Sequence, residues 1–302
     1  MKRRLIQIGK STLLLSVPRD WVKSNNLAKG DEVDINAVQE KLIISSESKP
    51  AREKISVDIS EYKDMLPRLV YAIYRAGYDE VELRSNNPEE MNRIKSVIWK
   101  ETVGFEIMDQ GKDFCRIINL TGKLDDLPHI LRRLFLVTLT ISEEACNSVK
   151  QKSGYDNILY LEKENNRIST TLIRAMNKFG SHGYKKTGPL YYIVQELERI
   201  GDQYKFLAQH FIEADGKAEV RPAIAELLTD VSVLLRQAYE LFYKFEPTRV
   251  IEIKALRNKI IERSLNYLGG KANRNETIVL HHAVNITTRT FDTITSMFIL
   301  EL

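Results

Sequence analysis

VQELERIGDQYKFLA, residues 194–208, decides how the second half of this 302-residue chain is built. Within and around it Leu190, Ile193, Val194, Leu197, Ile200, Tyr204, Leu207 and Phe211 recur every three or four positions, which predicts a helix with one buried face. Glu198 and Asp202 stand one turn apart and border that stripe. Like charges at this spacing mildly disfavour a helix, so a cation between them would help. Gly201 costs about 1 kcal/mol relative to alanine in a helix interior, so close packing or access to an ion is expected there.

The helical pattern extends in both directions. Helices are expected at about 126–154, 157–179 and 189–214, with the loop GSHGYKKTG (180–188) before the third. The plan then recurs at about 221–245, 247–268 and 275 to the C-terminus, with GGKANRN in the loop's place. A shift of ninety residues aligns the two runs without a gap and pairs Glu162 with Glu252, Arg167 with Arg257, Gly180 with Gly270, Leu190 with Leu280, Arg199 with Arg289 and Asp202 with Asp292. Two tandem three-helix bundles are the simplest architecture. On the second helix Glu162, Asn165 and Ser169 fall within the apolar arc of Ile158, Ile168, Leu172 and Met176. Polar groups on a core-facing arc need partners, so a site shared by the second and third helices is expected. Acids one turn apart are common on solvated faces. The intruding Glu162 and the repeated R-x-x-D are what favour a cation site. His281 and His282 are adjacent and point to different faces, which suits packing, and His182 has no matching nucleophile.

The opening run IQIGKSTLLLSVPRDW (6–21) contains Gly-Lys-Ser-Thr but is no phosphate loop, because Arg4 stands where the first glycine is required. Lys10 also interrupts any signal-type apolar stretch. Strands are expected at 5–8 and 12–17 about a Gly9-Lys10-Ser11 turn, then a short helix from Pro18, a turn at Lys29-Gly30-Asp31, and strands at 32–37 and 41–46. So small a segment cannot bury a sufficient core alone, which favours dimerisation. Residues 1–30 hold seven Lys/Arg against one acid, Asp20, so the basic excess of a chain with net charge +4 lies at this end.

Residues 47–53, ESKPARE, read as a linker. From 54 to 120 the order strand, helix (61–76), strand, helix (88–102), strand, strand predicts a small α+β layer and contains no catalytic constellation. It is expected to be a spacer or a subunit-contact module. The expected organisation is therefore multidomain: a β head (1–48), an α+β middle (52–120) and an all-α tail (121–302, repeats about 121–215 and 216–302). Hydrophobic residues at 43% and charged residues at 28% suit a soluble globular protein. Cys115 and Cys146 are too few for a disulfide framework and suit a reducing cytoplasm as small buried hydrophobes. No apolar stretch reaches the roughly 18 residues that a spanning helix needs, so direct membrane insertion is not expected.

Two resemblances follow. The head, "IQIGKSTLLLSVPRDWVKSNNLAKGDEVDI", resembles the AbrB/SpoVT swapped-hairpin domain, in which two chains interlace into one β-barrel. This implies a homodimer and DNA binding by a basic surface, with Lys2, Arg3, Arg4, Lys10 and Arg19 facing phosphates. "ELERIGD", within tandem bundles over about 120–302, resembles the PhoU family of phosphate uptake regulators, and the order of head and tail resembles its archaeal members. That family's E/D-x-x-x-D motifs hold iron- or zinc-type metal, and its members act on a phosphate transporter and its signalling partners. The resemblance implies Glu198 and Asp202 as first ligands with Glu162 beside them, for iron, zinc or another divalent cation. In the second bundle Thr288 replaces the expected acid, leaving Asp292 and Glu252 as a degraded site. The reading is thus a non-enzymatic cytoplasmic regulator of phosphate uptake. Two alternatives stay open: a metal-dependent phosphohydrolase using Glu198 and Asp202, and a DNA-binding transcription factor whose tail only oligomerises.

Overall fold

The computed structural model describes residues 2–38, 41–45, 52–122, 126–180, 184, 186–214 and 218–302. It comprises two compact units, residues 1–55 and 56–302. Most of the expected linker, and His182 in its loop, lie outside the described residues.

The first unit holds two antiparallel hairpins. Strands β1 (Ile6–Ile8) and β2 (Thr12–Leu14) pair Ile6 with Leu14. Gly9 between them has φ 71°, a left-handed conformation that glycine adopts freely. A short helix, α1 (Arg19–Ser24), buries nothing, and β3 (Asp34–Val38) pairs with β4 (Lys41–Ser45). Among the described residues each hairpin forms its own two-stranded sheet and the two do not join into a barrel. Consequently Leu5, Ile6, Ile8, Leu13, Leu14 and Leu15 remain 42–62% exposed, as do Ile35 and Leu42.

The second unit begins with a mixed sheet of order β5-β6-β8-β7: β5 (Lys54–Asp58), β6 (Glu80–Arg84), β7 (Phe105–Gln110) and β8 (Phe114–Asn119). Its buried side chains include Val81, Leu83, Cys115 and Ile117. Helix α2 (Leu66–Ala76) starts five residues later than expected, because Lys63 has φ 40° and only a 3-10 turn, Lys63–Met65, precedes the helix. An α-helix cannot run through a left-handed residue, so the regular turn starts where Pro67 supplies a favourable φ. Helix α3 spans Pro88–Glu101, capped by Asn87.

Six long helices follow: α4 (Leu127–Gln151), α5 (Tyr155–Phe179), α6 (Thr187–Glu213), α7 (Pro222–Tyr243), α8 (Pro247–Leu268) and α9 (Arg274–Glu301). Within each three-helix set every helix packs on the other two. The sets meet through α4 on α7 and α6 on α9, which are equivalent positions under the ninety-residue shift. All eight apolar residues of the expected α6 stripe are buried. One continuous hydrophobic core runs from Leu127 to Met297. Among the described residues no helix is long and apolar enough to cross a membrane.

The middle segment belongs to the same compact unit as the helices. Its α2 docks on α5 through polar groups. Arg174 donates to the Tyr74 carbonyl at 2.7 Å and to Asp79 Oδ1 at 3.0 Å, and its guanidinium lies over the Tyr74 and Phe105 rings. Asn177 donates to the Arg75 carbonyl at 2.8 Å, and Lys178 pairs with Asp79 and reaches the Gly77 carbonyl. The carbonyls left open at the end of α2 are thereby satisfied from a neighbouring helix. Gly77, at φ 105°, lets the chain pass Lys178 closely: a Cβ there would lie 3.2 Å from Lys178 Cβ.

Candidate functional site

The second and third helices meet over a polar cluster. Glu162 of α5 is 4% exposed despite its charge. Its Oε1 accepts from Asn166 Nδ2 at 2.7 Å and from the Lys205 ammonium of α6 at 2.7 Å. The same ammonium pairs with Asp202, three residues earlier on α6. Burial raises the Glu162 pKa, Lys205 opposes that, and the Asp202 charge adds to it. Lys205 itself is held protonated by its two acids against the desolvation that disfavours its charge. Glu198, one turn before Asp202, has its pKa raised by burial and by Asp202, with Arg75 of α2 the first of the cations opposing the shift.

Below this cluster a polar pillar crosses the bundle. Asn165, fully buried, donates to Thr138 Oγ1 of α4 at 2.8 Å, and Ser142 and Tyr204 share a hydrogen bond of 2.7 Å. Gly201 faces Asn165: a Cβ on it would lie 3.1 Å from Asn165 Oδ1 and 3.2 Å from Asn165 Cγ. Close packing, of the two explanations expected for this glycine, is thus met. Ser169, the third polar residue of the arc, is buried and donates back to the Asn166 carbonyl at 3.0 Å.

The cluster opens into a cavity of about 1450 Å³. One wall comes from the middle segment, with Pro67, Arg68 and Tyr71 of α2 and Ser96 and Trp99 of α3. The other is α5 and α6, with Tyr160, Lys163 and Arg167 beside Glu162, Glu198, Asp202 and Lys205. Trp99 is 81% exposed. The middle segment therefore contributes to the site, which its lack of catalytic residues did not suggest.

Three of the expected ligands, Glu162, Glu198 and Asp202, are brought together. Glu252 is exposed on α8, and the acid whose charge bears on Asp292 is Glu196 of α6. Glu196 is 2% exposed and accepts from Arg199 at 2.7 Å and from Arg289 at 2.9 Å. Arg199 and Arg289 are equivalents under the repeat, so two related arginines converge on one glutamate whose own counterpart is Ile286. Burial first, then the Glu196 charge, raise the Asp292 pKa, and Arg257 and Arg289 oppose that rise.

The fit of a divalent cation to the first cluster can be tested on its donors. The carboxylates of Glu162, Glu198 and Asp202 are oxygen ligands suited to a hard cation. The place between Glu162 and Asp202, however, holds the Lys205 ammonium. Among the described residues no group of three or more His, Cys, Asp or Glu is arranged to hold a metal. The residues as arranged do not fit the metal that the resemblance implies. Lys205 escaped the sequence reading, although its spacing of three from Asp202 is that of a helical ion pair. Asn166 and Arg75 escaped it as well.

The head residues Lys2, Arg3, Arg4, Lys10 and Arg19 are all exposed. Cys115 and Cys146 are buried and unbridged, with thiol pKa values pushed up to about 11 by burial. His282 is buried, with Nδ1 3.0 Å from Gln203 Oε1, while His281 is exposed, so the two rings face different environments. Comparison with family models, with curated proteins and with solved structures returned no match.

Proposed function

We propose that this chain is a non-enzymatic cytoplasmic regulator of phosphate uptake and phosphate-responsive gene expression, with a PhoU-like helical body and an AbrB-like dimeric head. The observation that carries the reading is the ninety-residue repeat folded as two bundles joined through equivalent helices, with Glu198 and Asp202 on the third helix at the wall of the cavity. The head supports it by its chemistry. Its strands leave a row of aliphatic side chains uncovered that a second copy would bury, and Lys2, Arg3, Arg4, Lys10 and Arg19 are exposed, where they could meet phosphates. A transporter or its signalling protein is the partner of the body, and duplex DNA that of the head.

The test of the body is uptake of labelled phosphate by cells lacking the chain, grown in phosphate-rich medium. Uptake is expected to stay high and to be repressed again when the full chain is restored; unchanged uptake on removal overturns the reading. The head is tested by fluorescence anisotropy of duplex DNA against salt. Binding is expected to weaken steeply with salt, and neutralising Arg3 and Arg4 should lower the salt slope by about one per lost phosphate contact. Absence of binding at low salt leaves the head a dimerisation device.

A further inference from the structure

We infer that Lys205 is the resident counter-cation of the acidic cluster, so that this chain assembles without a metal ion a site whose acids would otherwise need one. Three observations combine. Glu162 is buried, and a buried carboxylate keeps its charge only with a partner. The Lys205 ammonium lies 2.7 Å from Glu162 Oε1 and also pairs with Asp202, which puts it where a bridging cation between α5 and α6 would stand. The tether is covalent: Lys205 is three residues from Asp202 on the same helix, so its local concentration does not depend on any metal supply.

The repeat strengthens the inference. In the second bundle the equivalent of Lys205 is Thr295, while where α6 meets α9 the buried Glu196 accepts from Arg199 and Arg289, and Arg257 and Arg289 favour the charged form of Asp292. A second buried acid of this unit is thus also met by side-chain cations, drawn from different positions. A divalent ion entering the first cluster would have to displace a lysine that makes two ion pairs and carries its charge into the same space. Like charges in one partly buried site exclude each other. Removing the ammonium should therefore create a metal site rather than merely damage a bundle. The inference is independent of the phosphate reading, because it concerns only what balances Glu162, Glu198 and Asp202.

The test uses the full chain, dialysed against chelator and titrated calorimetrically with Mn²⁺ alone and with Zn²⁺ alone, with metal content of the freshly purified chain measured beside it. The wild-type chain is expected to carry no stoichiometric metal and to show no binding that depends on Glu162. Lys205→Met is expected to bind Mn²⁺ or Zn²⁺ at least about tenfold more tightly, a gain of about 1.4 kcal/mol. Lys205→Arg should stay metal-free, and Glu162→Gln/Asp202→Asn in the Lys205→Met background should abolish the gained binding. Stoichiometric metal in the wild-type chain that is lost in Glu162→Gln overturns the inference, and so does a folded Lys205→Met variant that binds no more tightly than wild type. If Lys205→Met does not fold, the wild-type and Lys205→Arg measurements decide it.

Discussion

Arg174 of α5 donates to Asp79 Oδ1 at 3.0 Å, and this pair, with the Tyr74 carbonyl 2.7 Å from the same guanidinium, welds the α+β layer to the first bundle. Both side chains are largely withdrawn from water. Removing one partner of such a pair leaves a buried charge and open carbonyls, and typically costs about 3 to 5 kcal/mol. Lys178, also on Asp79, softens the loss, so Arg174→Met is expected to cost about 3 kcal/mol. The measure is the denaturant midpoint, together with proteolysis around residues 77–80, which should become faster. Arg174→Lys should recover little, because an ammonium cannot serve both acceptors while stacking on Tyr74.

A double-mutant cycle on Lys205 and Glu162 reports their coupling. Lys205→Met is expected to cost about 2 to 3 kcal/mol, less than a fully buried pair because the lysine is partly exposed. Glu162→Gln removes the charge that needs the lysine, so the double variant should be less destabilised than the sum by about 1 to 2 kcal/mol. Additive losses in urea unfolding would show that the two side chains do not act as a pair.

Gly201→Ala should destabilise the chain by about 1 kcal/mol, although alanine is the better helix former. The new methyl would press on Asn165, which is buried and anchored to Thr138 at 2.8 Å and so cannot swing away. In an Asn165→Ala background the obstruction is gone, and the same substitution should become neutral or stabilising. Thermal melts of the four proteins check it.

The pH dependence of stability should carry the signature of His282. Burial first, then the charges of His281 and His210, lower its pKa from 6.5 to about 4. Because the folded value is the lower one, the unfolded chain takes up the proton first as the pH falls. Stability is therefore lost as the pH drops from about 6.5 to about 4, at most about 1.4 kcal/mol per pH unit, and this loss levels off below. His282→Gln should flatten that part of the curve, measured as urea midpoints between pH 7 and pH 4.

Helix periodicity, caps and the ninety-residue repeat are local properties of the chain, and they determined the six long helices, with α8 at its expected bounds. The arc logic also placed Glu162, Asn165 and Ser169 in the interior and brought Glu162 beside Asp202, because a helix face is set by spacing alone. What filled the site was not a matter of spacing. Lys205 reads in the chain as an ordinary solvated lysine, and only the packing of α5 on α6 brings its ammonium onto a buried acid. The same holds for Glu196, an unremarkable acid until α9 lays Arg289 against it. The α+β layer carried no sign of its role, since Arg174 and Tyr74 lie a hundred residues apart and meet only once two complete surfaces are formed. The sequence by itself determined which faces would be buried, through the period of its apolar residues. Tertiary structure decided which charge balances each buried acid, because that depends on how close two helices bring side chains that are distant in the chain.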